Sequence, residues 1–299
     1  MAGEETAVEL QVDAFRDWAA YARSKLGAAG FAGPFADSEL PTAWFNLRRR
    51  LVEPRPRRTA YASDFHCPPK FASALAALIS DSERGSSLVK YLSRSVAQSA
   101  TFSDGLLNDW HIHHFHLGDV VAKGGFMERT GELLFAVVEQ DTFYALTVGH
   151  HKDFAREELF ARVARSWPEL VEGHRLDSDD FGQRAITDDE RKKFRRANLY
   201  PATAVDGAAY VSLGGGAVMS GASVESILEA QQLYHFLHCV ENCLQNEAPA
   251  IAHAIEIAGY HLPVQIQLAL DFSSGGVTAR HVGSNVSVDV LAILNSQKA

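Results

Sequence analysis

The sequence predicts an α+β protein built from two mixed helix–strand units, and three observations carry that reading. The order strand, two helices, three strands is read over residues 58–165 and again over residues 208–294. Stretches of helical spacing alternate with short β-branched and aromatic runs bounded by glycine and proline. The chain of 299 residues, 46% of them hydrophobic, holds apolar material for about two domains. No residue-level repeat links the units, so the echo is one of element order.

Residues 7–28 place Val8, Leu10, Phe15, Trp18, Ala19, Tyr21 and Leu26 at amphipathic spacing and predict a helix, ended by glycines and Pro34. Pro54 and Pro56 mark a second break. Thr59–Phe65 reads as a strand. Pro68 and Pro69 suit a helix start, Phe71–Ile79 continues at helical spacing, and Leu88–Ala100 is a second helix after a turn at Gly85. Trp110–Leu117 reads as a strand by alternation, and Gly118, Gly124 and Gly125 place a loop after it. Glu132–Val138 and Thr142–Val148 are apolar runs joined at Glu139-Gln-Asp141, which suits a tight hairpin. Ala155–Arg165 is an amphipathic helix that stops before Pro168. Residues 174–200 are strongly charged and predict a linker, although Thr187-Asp-Asp-Glu190 has the form of a capping box. Beyond them, Ala208–Leu213 reads as a strand, Gly214–Gly216 as a turn, and Ser223–Leu244 and Ala248–Ala258 as helices. Val264–Phe272, Val277–Val282 and Val286–Leu294 are strand candidates, with a hairpin turn at 273–276. The expected division is an N-terminal helical segment over 1–57, a histidine-rich α+β domain over 58–173, a polar linker over 174–200 and a second α+β domain over 201–299.

The charge balance is acidic, 28 Lys and Arg against 37 Asp and Glu. That argues against indiscriminate coating of nucleic acid, which needs a broad basic surface. It leaves room for a local basic groove, and basic runs stand at 48–50, 55–58 and 191–196. Three cysteines make no disulfide framework and fit a reduced, cytoplasmic setting. The opening Gly-Glu-Glu does not read as a signal peptide, and no apolar stretch reaches membrane-spanning length, so no membrane partner is expected.

Four of the chain's 13 histidines stand in the run His111-Ile-His-His-Phe-His116. Imidazole is the side chain suited to proton transfer near neutral pH and to binding zinc-like metals. On a strand, alternation puts His111 and His113 on one face with Phe115 and Leu117, and His114 and His116 on the other with Ile112. Each pair has the His-x-His spacing of a metal site, but one regular strand offers at most two ligands to one ion. His150 and His151, at the end of the third strand of the same sheet, are the expected partners. Arg129, in Arg-Thr-Gly131, and Lys152 supply cations able to clamp a phosphate. Together, His113, His114, His116, His150 and His151 with Arg129 and Lys152 form a general acid–base and phosphate-binding set. Metal-free RNA cleavage needs those parts: a base for the 2′-hydroxyl, an acid for the leaving oxygen, and cations for the developing charge. Of the run, His114 and His116 are favoured over His111. Two further motifs carry less chemistry. The turn at 213–223 lacks the lysine and spacing of a P-loop, and His235, Cys239 and Cys243 share one face of a helix that reads as core.

In the order of its elements, the region from Arg58 to Arg165 resembles the RelE/ParE-type toxin fold: a strand, a helical hairpin, then a three-stranded antiparallel meander. The segment from Arg129 through Glu132–Val138 and Thr142–Val148 to His150 and His151 looks like that family's arginine-strand-turn-strand-histidine portion. The resemblance implies an endoribonuclease with Arg129, His150 and His151 among its site residues. Those toxins are short and basic, whereas this chain is long and acidic. Separately, Ile-His-His-Phe-His-Leu-Gly118 followed by Arg129-Thr-Gly-x-Leu-Leu-Phe135 resembles a recurring bacterial family of unassigned function, which implies no activity.

The function expected from the sequence is therefore an intracellular phosphodiester hydrolase, a metal-independent endoribonuclease of RelE-like architecture that binds RNA in a local basic groove. No cofactor is expected. The alternatives are a divalent-metal hydrolase using the same histidines, and a non-catalytic regulatory protein of a toxin–antitoxin or defence system that binds a protein partner through its C-terminal domain.

Overall fold

The N-terminal helical pattern overruns the helix it announces. Residues Glu9–Gln11 form a strand, β1, and helix α1 begins at Ala14 and runs to Ala28. Leu10 is buried between exposed Glu9 and Gln11, a period-two pattern. Asp13 caps α1 by accepting the Arg16 N–H at 2.8 Å. The computed structural model describes residues 9–31, 35–94, 99–176, 186–262, 265–273 and 275–296. The expected positions 7–8, 95–98, 177–185, 264 and 274 lie outside the described residues.

After helix α2 (Leu40–Leu51) comes β2 (Arg58–Tyr61), then helix α3 (Ala72–Glu83), opened by one 3-10 turn at Pro69–Phe71. Over its described first part, residues 88–94, the helix expected over 88–100 is not continuous. Val89–Tyr91 is a single 3-10 turn, and Leu92 is extended. Tertiary contacts hold this stretch: the Tyr91 hydroxyl donates to Asp81 at 2.8 Å, and the Lys90 carbonyl accepts the Met127 N–H at 2.7 Å. A six-residue helix, α4 (Gly105–Trp110), leads into β3 (Ile112–His116). Strands β4 (Glu132–Val138) and β5 (Thr142–His150) follow as expected, β5 running two residues further. The sheet order is β2-β5-β4-β3, with β2 parallel to β5 and the other pairs antiparallel.

Both faces of this sheet are covered, so β3 is buried at every residue. Phe115 and Leu117 join Phe71, Leu75, Leu78 and Tyr91 on the α3 side. Ile112, Leu133, Phe135 and Val137 join Trp110 and the apolar face of α5 (Glu157–Ser166) on the other. The parity of β3 therefore places His113 on the α3 side and His114 and His116 on the α5 side.

The second half of the expected linker is a packed element. Thr187 and Glu190 close the capping box of helix α6 (Asp188–Arg196). Arg191 on α6 is fully buried, its guanidinium 3.2 Å from Asp109 Oδ2 and 2.7 Å from Glu157 Oε1. Arg195, one turn on, meets the same Asp109 oxygen at 2.8 Å. Both guanidiniums lie over the Trp110 ring, 4.9 and 4.3 Å from its centroid. A highly charged helix is thus fastened at the end of α4 by a buried carboxylate between two cations.

Strands β6 (Thr203–Val205) and β7 (Ala208–Tyr210) form a hairpin before helix α7 (Val224–Asn246) and helix α8 (Ala248–Ile257). Strand β8 (Gln265–Asp271) pairs in parallel with β1 and antiparallel with β9 (Thr278–His281). The strand expected over 286–294 is cut to β10 (Ser287–Asp289), and helix α9 (Val290–Ser296) takes its place. Asp289 Oδ1 accepts the Leu291 and Ala292 N–H groups at 3.0 and 3.2 Å and starts that helix.

The chain is a mixed α+β protein of two compact units, residues 42–228 and residues 1–41 with 229–299. The boundaries differ from the expected 58, 174 and 201. The parallel pairing of β1 with β8 draws the N-terminus to the C-terminal strands, and the Asp109 bridge draws α6 into the central unit. Among the described residues no helix is long and apolar enough to cross a membrane.

A candidate anion-binding active site

Asp104 accepts the Leu106 and Leu107 N–H groups, both at 3.1 Å, and so begins α4. The helix ends at His111, whose backbone is left-handed with φ 56°. His111 is thus a helix cap rather than the start of the strand, and its ring stands 3.7 Å from Glu139. The glycine turn after β7 closes on the same helix end. Gly214 N–H donates to the Asp109 carbonyl at 3.2 Å and Gly216 N–H to the Asn108 carbonyl at 2.8 Å. Those donors are spent on the helix and are not left to receive a phosphate. A Cβ at Gly214 would meet the Leu107 carbonyl oxygen at 2.0 Å, a contact with backbone that cannot swing away. Gly214→Ala is expected to lower unfolding free energy by on the order of 3 kcal/mol; chemical denaturation that finds no loss would contradict this packing.

On β3, His114 and His116 face the side where β5 delivers His151. The His151 ring lies 6.3 Å from that of His114 and 5.6 Å from that of His116, centroid to centroid. Phe154 packs under both His114 and His151, at 4.7 and 5.2 Å. The position of His151 follows from a local device: Asp153 accepts the His150 N–H at 2.8 Å and starts the 3-10 turn His151–Ala155. Gly149 is required there, since a Cβ would stand 2.9 Å from the Asp153 carboxylate and 3.1 Å from the Phe135 ring.

His114, His151 and Phe154 line a cleft of about 430 Å³, with Phe102, Asp104 and four cations, Arg129, Lys192, Arg195 and Arg196. Arg195 is the most firmly held. Its Nε is bound to Asp109, and a second nitrogen donates to the Phe154 carbonyl, while Nη2 is buried without a hydrogen-bond partner. Asp104, the carboxylate among the lining residues, comes within 3.9 Å of His114 Nδ1. The arrangement concentrates positive charge around two imidazoles, which is the chemistry of a phosphate site with acid–base groups beside it.

Burial disfavours the protonated forms of these histidines. The His114 pKa is lowered by burial, opposed by Asp104. That of His151 is lowered by burial, then by His114 and Arg129. His116 is pushed down to about 4 by burial, then by His114, His151 and Arg129. Burial likewise lowers Arg195, opposed by Asp109.

Of the residues expected from the sequence, His114, His116, His151 and Arg129 are brought together. His113 is not: it faces the α3 side, its ring stacked 6.0 Å from Phe115. His150 stands at the strand end opposite Glu132 and outside the cleft lining. Lys152 lies outside the cleft lining, in a neighbouring hollow of about 360 Å³ that shares Lys192 with the cleft and holds Asp153, Asp188, Asp189 and Arg156. Lys192, Arg195 and Arg196 take the place expected for Lys152. Their signal was present as a basic run behind a capping box. Helical spacing turns Arg191 and Arg195 to one side and Lys192 and Arg196 to the next.

Among the described residues no three His, Cys, Asp or Glu side chains are grouped to hold a metal ion. The helical set reduces to His235 Nε2 and Cys239 Sγ, 3.7 Å apart, with Cys243 buried. Comparison with protein-family models, curated proteins and solved structures finds no match to this chain.

Proposed function

We propose that the protein is a phosphodiester hydrolase, an endoribonuclease that cuts RNA by general acid–base catalysis in the Arg129–Arg195 cleft. The observation that carries this reading is the pairing of His114 and His151, with rings 6.3 Å apart, inside a cleft lined by four cations. That separation leaves space for one phosphodiester whose attacking and leaving oxygens each take a hydrogen bond of about 2.8 Å.

The neighbours divide the roles. Burial lowers both pKa values first; at His114 that lowering is opposed by a carboxylate, Asp104, 3.9 Å from Nδ1, while at His151 it is reinforced by His114 and Arg129. His151 is therefore the base that takes the proton of the 2′-hydroxyl. His114 is the acid that gives a proton to the 5′-oxygen as its bond to phosphorus breaks. The products are a 2′,3′-cyclic phosphate and a 5′-hydroxyl. Arg129, Lys192 and Arg195 stabilise the charge gathered on the non-bridging oxygens. The order of strand, helices and antiparallel meander over residues 58–150 supports a RelE-like architecture, although the helices between β2 and β3 do not make a simple hairpin. Three free cysteines support a reducing, cytoplasmic setting.

The active form needs one imidazole protonated and one neutral. Both pKa values lie below the ordinary 6.5, so the singly protonated pair is populated on the acid side of it and lost as pH rises through neutrality. The kcat/KM for an RNA oligonucleotide is expected to peak below pH 6.5. A peak at pH 7.5 or above would contradict these assignments.

A further inference from the structure

His116 shares the face of β3 with His114 but lines a second hollow, of about 500 Å³, walled by Leu92, Phe126 and Met127 with Arg94, Arg129 and Glu128. Arg129 lines both spaces, so they adjoin at that residue. The apolar wall is fixed in place. Val121 bridges Met127 across a small hairpin, Met127 N–H donates to the Lys90 carbonyl at 2.7 Å, and Ala122 N–H to that of Phe126 at 2.8 Å. Gly118 lets the two arms close, since a Cβ there would stand 2.4 Å from the Glu128 carbonyl oxygen.

His116 is only 2% exposed, and neither of its ring nitrogens has a hydrogen-bond partner. A neutral imidazole carries one donor and one acceptor, and leaving both unused in the interior is unfavourable. A ligand that fits this wall has a flat apolar face for Phe126 and Met127, an edge bearing both donors and acceptors, and an anionic group one step away at Arg129. A nucleobase attached to a phosphodiester has all three.

We infer that the second hollow is a nucleobase subsite, in which Phe126 and Met127 pack on the ring and His116 reads its edge, for a nucleotide flanking the phosphate bound at Arg129. The inference rests on the cleft reading above and names the part of the substrate that reading leaves open. It makes the enzyme a reader of at least one base beside the scissile bond.

The test is equilibrium binding by calorimetry of 2′-O-methyl dinucleotides, which cannot be cleaved, beside the same molecules with the 5′ or the 3′ base removed, and inorganic phosphate. In the wild type, loss of one of the two bases is expected to weaken binding about tenfold. In Phe126→Ala and in His116→Ala that penalty shrinks to within about twofold, while Phe126→Ala still binds inorganic phosphate as the wild type does. Equal affinity for intact and abasic dinucleotides overturns the subsite and leaves the cleft reading standing, as does an unchanged penalty in Phe126→Ala. Failure of the wild type to bind phosphate or any dinucleotide overturns both.

Discussion

His114→Ala and His151→Ala are each expected to slow RNA cleavage by roughly 10²–10⁴-fold, the contribution of a positioned acid or base. Binding of an uncleavable oligonucleotide should change little, because the cations remain. The two losses differ in kind. Replacing the 5′-oxygen of the scissile bond by sulfur gives a leaving group that needs no proton. That substrate should restore most of the rate to His114→Ala and none to His151→Ala. Equal rescue of both would remove the division of roles argued from Asp104 and Arg129. Lys152→Ala provides the control. Its side chain lines the neighbouring hollow, beside three aspartates and outside the cleft lining, so its rate should stay within about twofold of wild type. A large loss there would return Lys152 to the site.

Asp109→Ala should be among the most destabilising single changes in the central unit. Asp109 is fully buried, and one of its oxygens serves two guanidiniums, Arg191 at 3.2 Å and Arg195 at 2.8 Å. Removing it takes the shared carboxylate from two buried cations, an effect of roughly 3–5 kcal/mol. Arg191 keeps Glu157, whereas Arg195 keeps the Phe154 carbonyl, the Trp110 ring and the more distant charge of Asp104. The expected result in urea is a lowered midpoint with little change of slope. Phosphate affinity should fall with it, since the guanidinium that faces the cleft loses its anchor. A loss under about 1 kcal/mol would mean that α6 is held by its apolar contacts and that Asp109 is incidental.

Much of the central sheet was legible in the sequence because its signals are local. The apolar runs of β4 and β5, the turn at Glu139–Asp141 and the parity of the histidine run all follow from a period of two. That parity already divided the run into pairs and set His114 and His116 together, but it did not show which face borders a cleft. Burial of β3 on both faces hid it, since no polar stripe marks an outward side. The errors fall where distant contacts override local pattern. Residues 88–100 have helical spacing, but Asp81 and Met127 take the backbone and the hydroxyl elsewhere. Residues 187–200 have the composition of a linker, and distant carboxylates, Asp109 some eighty positions earlier and Glu157, turn their arginines inward. Arg129 was named from the sequence, but the place of Lys192, Arg195 and Arg196 in the cleft was hidden for that reason, since a basic run reads as a solvated face until its counter-ion is found. His111 was misread as strand because a single left-handed residue ends α4 there.

The measurement that bears most directly on the central claim is cleavage of one RNA oligonucleotide beside its twin carrying a single 2′-deoxy nucleotide 5′ to the cut. If His151 draws a proton from the 2′-hydroxyl, the RNA is cut to a 2′,3′-cyclic phosphate and the twin stays intact at that bond. Cleavage of the twin at the same bond and comparable rate would contradict the account, because the nucleophile would then be water and not the neighbouring hydroxyl.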